Sequence, residues 1–293
     1  MKPRLLGRSG LAVSPVGLGA GRIGGPDVSD ADVDRLVGAA LDAGVTLLDT
    51  ARSYGDSEDR LGRALAGRRD RVVLSTKVGY GVPGLEDWTG ACVAAGVDAA
   101  LGRLATGWID VVHLHSCPLE VLRRGEVVLA LTRAVEEGKV RVAAYSGEGD
   151  ALAWAVRSGA FGAVQCSVSL VDQGVLDGPV AEASARGIGV LGKRALGNAP
   201  WRFQNRPAEP DVAEAWDRFG ALSLPFPAGG WTGFSARFAA HAPGVSAILV
   251  GTASPIHLAD VVDAVRHGPL GDKAITTARS AFARVGRDWP GRI

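Results

Sequence analysis

Eight short apolar runs alternate with segments of helical period along this chain, and that alternation predicts an α/β fold closed into a (β/α)8 TIM barrel. The runs are rich in Val, Ile and Leu rather than strictly alternating, which is how parallel strands buried on both faces read. The length of 293 residues also suits one barrel, since such folds take about 250 residues as a single domain.

The elements follow in order. RLLGRSGLAV (4–13) places a GRSG turn between two apolar pieces and predicts an N-terminal hairpin that plugs the barrel bottom. SPVGLG (14–19) is the first barrel strand, followed by VTLLD (45–49), RVVLSTK (71–77), IDVVHLH (109–115), KVRVAAYS (139–146), GAVQCSV (162–168), GIGVLGK (187–193) and GVSAILVG (244–251). Between them run helical stripes. Val33, Leu36, Val37, Ala40 and Leu41 form one, with Ser29 and Asp30 as N-cap candidates. Val93, Val97, Leu101 and Leu104 form a second, and Val127, Val128, Leu131 and Val135 a third. The stretch 194–212 is the longest irregular segment, expected as a loop on the ligand-binding face. Residues 272–289 read as an extra C-terminal helix ending near Trp289. No linker or repeat divides the chain, so 1–293 is read as one domain.

Charged residues are 22% of the chain and net charge is +1, which gives no basic footprint for nucleic acid. No run approaches the roughly 18 apolar residues of a membrane span, and the first residues lack the continuous apolar stretch of a secretory leader. A cytoplasmic protein is expected. Cys92, Cys117 and Cys166 are widely spaced without a CxxC pair, so neither a disulfide framework nor a metal site is expected.

In a barrel of this kind, chemistry gathers at the C-terminal ends of the strands and in the loops beyond them. Asp49, Lys77 and His115 end the second, third and fourth barrel strands, and Tyr54 lies on the loop after the second. Taken singly, each has an ordinary reading: a turn-capping Asp, a solvated rim Lys, a His that is partly structural alongside His113. Taken together, three strands become ionisable at one end. A tyrosine is a weak acid, an ammonium beside a phenol favours the phenolate, a carboxylate keeps the ammonium charged, and a neutral imidazole can orient a carbonyl. That set suits proton transfer.

These residues lie in segments that resemble the aldo-keto reductase superfamily: RSGLAVSPVGLG (8–19), AGVTLLDTARSYGDSEDRLGRAL (43–65), STKVG (75–79), IDVVHLH (109–115), GKVRVAAYSG (138–147) and Gln165, in family order. The resemblance implies NADPH-linked interconversion of carbonyls and alcohols without metal. Tyr54 would be the general acid/base, Asp49 and Lys77 its tuners, and His115 the group that orients the carbonyl of a small-molecule substrate. It maps the nicotinamide carboxamide onto Ser146 and Gln165, and places Lys193 where the family commonly presents an aromatic under the ring. Gly251 and His257 fill places where the best-known pattern has basic residues for the adenosine 2′-phosphate. Thr252, Ser254 and Arg194 are the remaining candidates there, so NADH is possible as well as NADPH (NADP+). Gly147 and Glu148 follow the serine where the family often has Asn, and Ser169 replaces another frequent Asn. Trp88, Trp201, Phe203, Trp231 and the Cys117–Pro118 turn are candidates for the substrate pocket. Two other readings stay open: a non-catalytic nicotinamide-binding regulatory subunit, and a Schiff-base aldolase using Lys77.

Overall fold

A computed structural model describes residues 1–292. The chain opens with the expected hairpin, β1 (Arg4–Leu5) antiparallel to β2 (Ala12–Val13). Then come β3 (Val16–Gly19), α1 (Asp30–Asp42), β4 (Leu47–Asp49), α2 (Ser57–Ala64), β5 (Val73–Val78), α3 (Gly90–Arg103) and β6 (Ile109–His115). After the consecutive helices α4 (Leu119–Arg124) and α5 (Glu126–Glu136) follow β7 (Val140–Ser146), α6 (Gly149–Ser158), β8 (Ala163–Ser167), α7 (Ala181–Ala185) and β9 (Gly189–Lys193). The last part holds α8 (Pro210–Leu222), α9 (Gly230–Ala240), β10 (Ala247–Gly251), α10 (Pro255–Arg266) and α11 (Asp272–Val285). Strands β3 to β10 are all parallel, each pairs with the next, and β10 pairs with β3 to close the barrel.

Helix boundaries follow local chemistry. Ser29 caps α1 in a reciprocal box: its Oγ accepts from the Asp32 N–H at 3.1 Å while the Asp32 carboxylate accepts from the Ser29 N–H at 3.2 Å. Asp30 is therefore the first helical residue. All five residues of the expected α1 stripe are buried. The stretch 194–212 is less irregular than expected, with a 3-10 turn at Pro200–Arg202 and, from Pro210, the first turn of α8. Proline suits that position because its missing N–H would be unpaired there anyway. The last helix stops at Val285, earlier than expected. Gly286 follows, and a Cβ there would lie 2.6 Å from the Phe282 ring and 2.9 Å from that of Trp289, so glycine lets the chain fold back and seat Trp289 on Phe282.

Two apolar layers result. One lies between the strands and the surrounding helices. The other fills the barrel, where Leu6, Leu11 and Val13 of the hairpin meet Leu47, Val73, Val111, Val142, Ala144, Ala163, Leu191, Ala247 and Leu249. The hairpin comes so close to β9 that a Cβ on Gly189 would lie 2.4 Å from the Leu6 side chain. Successive strand side chains point to opposite faces, so the residues two and four positions beyond these face the same interior at its other end. Those residues are Asp49, Ser75, Lys77, His113, His115, Ser146, Gln165 and Lys193. No described helix is long and apolar enough to cross a membrane.

Candidate active site

Asp49 and Lys77 are nearly inaccessible, and Lys77 Nζ donates to Asp49 Oδ2 at 2.6 Å and to the Thr50 carbonyl at 2.8 Å. Asp49 Oδ1 accepts from Ser75 Oγ at 2.7 Å and from Gln165 Nε2 at 3.0 Å. Burial alone would push both groups toward neutrality. Each one's opposite charge outweighs it: the Asp49 carboxyl is held below its ordinary range by Lys77, and the Lys77 ammonium above its own by Asp49 and Tyr54. Lys77 Nζ also lies 4.9 Å from the Tyr54 ring centroid.

Tyr54 arrives on the turn after β4, and two glycines set its position. A Cβ on Gly24 would sit 1.6 Å from the Tyr54 carbonyl oxygen, and Gly55 turns at φ +54° against Gly24. The two loops are further tied by Ser57 Oγ, which donates to the Ala20 carbonyl at 2.9 Å, and by Arg60, which donates to the carbonyls of Ile23 and Gly25. The phenol ring then meets His115 edge-on, with centroids 6.1 Å apart. Burial, reinforced by the cations of Lys77 and Lys193, holds the His115 imidazole at a pKa of about 3, so it is neutral at pH 7. His113, fully buried beside Ser75, is held at about 4, chiefly by burial. It lies beneath the cavity and packs structurally.

A cavity of about 700 Å3 opens over this cluster, lined by Asp49, Tyr54, His115, Ser146, Gln165, Lys193, Arg194 and Gly251 among others. A second, of about 710 Å3, shares Arg22, Arg194, Leu249 and Gly251 with it and continues past Thr252 and His257. Together they form one groove from Tyr54 to the start of α10. The residues present fit a nicotinamide dinucleotide: Ser146 and Gln165 present amide and hydroxyl groups beside Tyr54, bonded to one another at 3.1 Å, and Gly251 leaves open space where a side chain would intrude. Ser254 stands apart from these lining residues. Its Oγ caps α10 by accepting from the His257 N–H at 3.4 Å, and its N–H donates to Thr252 Oγ1. Arg202 brings a cation to the outer groove, while Glu209 and Asp260 bring carboxylates.

Lys193 is held by Glu148 at 3.3 Å. Burial lowers the Lys193 pKa and raises that of Glu148. The two departures noted in the sequence are thus partners. Arg194 Nη1 donates to the Arg292 carbonyl at 2.6 Å, and the Arg292 guanidinium binds Asp172 at 2.5 and 2.9 Å, which ties the last described residues to the rim. Among the aromatic candidates, Trp88 lines the inner cavity and Phe203 the outer groove, but Trp201 and Trp231 stack on one another, with Phe219 tilted against the first and edge-on to the second. Cys117 is buried and its thiol is pushed up to about 12 by burial, so it is inert packing. Sequence reasoning missed Tyr80, whose hydroxyl lies 2.8 Å from His115 Nδ1. The available signal was an aromatic just past the strand that carries Lys77. It missed Arg292 as well, for which no local pattern exists.

The sequence profile of the aldo/keto reductase family matches residues 15–218. This chain belongs to that family. Over 149 residues it is 39% identical to a 6-dehydroglucose reductase of Novosphingobium aromaticivorans, covering 47% of this chain and about half (49%) of that relative. It is 29% identical over 231 residues to an L-galactose dehydrogenase of Arabidopsis thaliana, covering 72% of each. A Pseudomonas aeruginosa structure assigned to the aldo-keto reductases superposes with a TM-score of 0.74 at 30% identity, covering 90% of this chain and 94% of that one. The holo form of an aldo-keto reductase from Bacillus halodurans gives 0.84 at 23% identity, covering 96% of each, a likeness of fold.

Proposed function

We propose that this protein is a nicotinamide-dependent oxidoreductase that interconverts a small aldehyde or ketone with its alcohol. The observation that carries this reading is the buried Lys77–Asp49 pair directly beside Tyr54, opposite a neutral His115. The nicotinamide, when bound, supplies hydride to the carbonyl carbon or takes it back. In the reductive direction the Tyr54 hydroxyl gives its proton to the carbonyl oxygen, yielding the alcohol, and solvent reprotonates the phenolate. Lys77 stabilises that phenolate, and Asp49 keeps Lys77 charged and in place. His115 donates a hydrogen bond that orients the carbonyl. Ser146 and Gln165 hold the carboxamide of the cofactor, and Gln165 also ties that site to Asp49.

Lys77 does not suit Schiff-base chemistry, because a nucleophilic amine must be neutral and this ammonium is buried, ion-paired and raised in pKa. Sugars are the first substrate class to test, since the two relatives described above are named for sugar substrates. For the cofactor, the outer groove is lined by Arg22, Arg194 and Arg202 together with Glu209 and Asp260, and positions 251 and 257 carry no Lys or Arg. NADPH and NADH are therefore both accepted, with affinities within roughly tenfold, about 1.4 kcal/mol. Separate titrations followed by tryptophan quenching test this. Similar dissociation constants support it, a large NADPH preference overturns the cofactor reading, and no binding of either overturns the oxidoreductase reading. Tight binding with no turnover on any aldehyde would instead favour the regulatory-subunit alternative.

A further inference from the structure

The loop after β5 is built at some cost around one side chain. Gly79 adopts φ +132°, and a Cβ there would lie 2.2 Å from Cζ3 of Trp88. Trp88 itself is left-handed at φ +62°, a conformation that bulky residues rarely adopt. Its N–H donates to the Gly79 carbonyl at 2.8 Å. Gly81 is gripped from both sides: its carbonyl accepts from Arg52 Nε at 2.8 Å, and its N–H donates to Asp87 Oδ1 at 2.8 Å. Between these ties stands Tyr80. Its ring packs against Trp88 at 5.5 Å and stacks on the His115 imidazole at 5.5 Å and 24°. Its hydroxyl oxygen lies 2.8 Å from His115 Nδ1 and 3.3 Å from Ser53 Oγ.

A neutral imidazole has one N–H and one lone pair, and the partner of one nitrogen decides the role of the other. If Nδ1 donated to the Tyr80 oxygen, Nε2 would carry a lone pair, which repels a carbonyl oxygen. If the phenol donates to Nδ1, Nε2 carries the proton and can donate. We propose that Tyr80 is a positioning residue whose hydroxyl gives its one proton to His115 Nδ1, at 2.8 Å, rather than to Ser53 Oγ, at 3.3 Å, and so fixes His115 in the Nε2–H tautomer. The strained loop is the device that holds this hydroxyl 2.8 Å from His115 Nδ1. This inference rests on the reading of His115 as the group that orients the carbonyl.

Tyr80→Phe keeps the stacked ring and removes only the donor. Nitrogen NMR of histidine-labelled protein, with the His115 signals assigned by their loss in His115→Gln, reads the tautomer directly. Wild type is expected as Nε2–H alone, and Tyr80→Phe as a mixture of both tautomers. The same variant should lose roughly tenfold in kcat, the worth of one hydrogen bond of about 1 to 1.5 kcal/mol, with KM and the dissociation constant for NADPH or NADH little changed. An Nδ1–H signal from His115 in wild type overturns the proposal, whether or not Tyr80→Phe folds. So does a Tyr80→Phe protein with unchanged tautomer and kcat. Because the NMR measurement requires no turnover, failure of the oxidoreductase reading would show separately, as a protein that binds neither NADPH nor NADH.

Discussion

The two ends of the barrel interior are built from the same strands and differ in what each must satisfy. At the lower end Leu47, Val73, Val111, Ala163 and Leu191 meet the hairpin residues Leu6, Leu11 and Val13. Two or four residues further along each strand stand Asp49, Ser75 and Lys77, His113 and His115, Gln165, and Lys193. Apolar groups need only be covered, and a short hairpin suffices. Buried charges need partners in place, because an unpaired ion in such surroundings costs several kcal/mol. The upper end therefore consists of linked donors and acceptors in which Asp49 alone accepts from Lys77, Ser75 and Gln165. One end supplies stability that tolerates repacking. The other supplies geometry that does not.

The sharpest way to break this contrast is to remove the phenol hydroxyl. Tyr54→Phe should lower turnover by about 10²–10⁴-fold, while quenching titrations show unchanged cofactor affinity. Full retained activity would remove Tyr54 from its role. Next, Lys77→Met leaves Asp49 buried without its partner and should cost about 3–5 kcal/mol in urea unfolding as well as turnover. Adding Asp49→Asn should return much of the stability and none of the activity, and a double variant as unstable as the single one would contradict the pairing. At the other end, Leu6→Ala should cost about 2–5 kcal/mol through the cavity it leaves, yet leave kcat within about twofold if the lower end acts on stability alone.

Acid should test both ends together. Burial lowers the folded pKa of His113 from 6.5 to about 4, so the unfolded chain binds more protons between those values, and stability present above pH 6.5 is lost as pH falls toward 4. The loss from His113 is on the order of 3 kcal/mol. His115, lowered to about 3 largely by burial, extends the same trend. Asp49 adds a further loss as pH drops through its own depressed value. Thermal melts across this range should fall steadily from pH 6.5 downward, and His113→Asn should flatten the upper part of the curve.

How far the sequence could be read depended on distance along the chain. The eight barrel strands, the α1 stripe and the Ser29 cap were legible because each depends on residues a few positions apart. The positions of Asp49, Lys77 and His115 were legible for the same reason, since a strand end and a fold class place them on one rim. Helix ends were less so. The stop at Val285 depends on Trp289 folding back onto Phe282, and the α8 start at Pro210 lies inside a stretch whose composition reads as loop. Trp201 and Trp231 could be read equally as pocket residues or as loop packing, because loop aromatics carry no mark of whether they face a ligand or one another.

The sequence by itself determined the barrel, the chemical groups at its upper end and their order along the strands, because period and composition are local. Only the tertiary structure decided which groups meet: Gln165 with Asp49 across 116 residues, Lys193 with Glu148, Arg194 with Arg292, and Tyr80 with His115. It also decided how they ionise, since burial and neighbouring charge exist only once the strands have closed. A hydrogen bond or an ion pair depends on tenths of an ångström between segments far apart in the chain, and no spacing within the sequence encodes that distance.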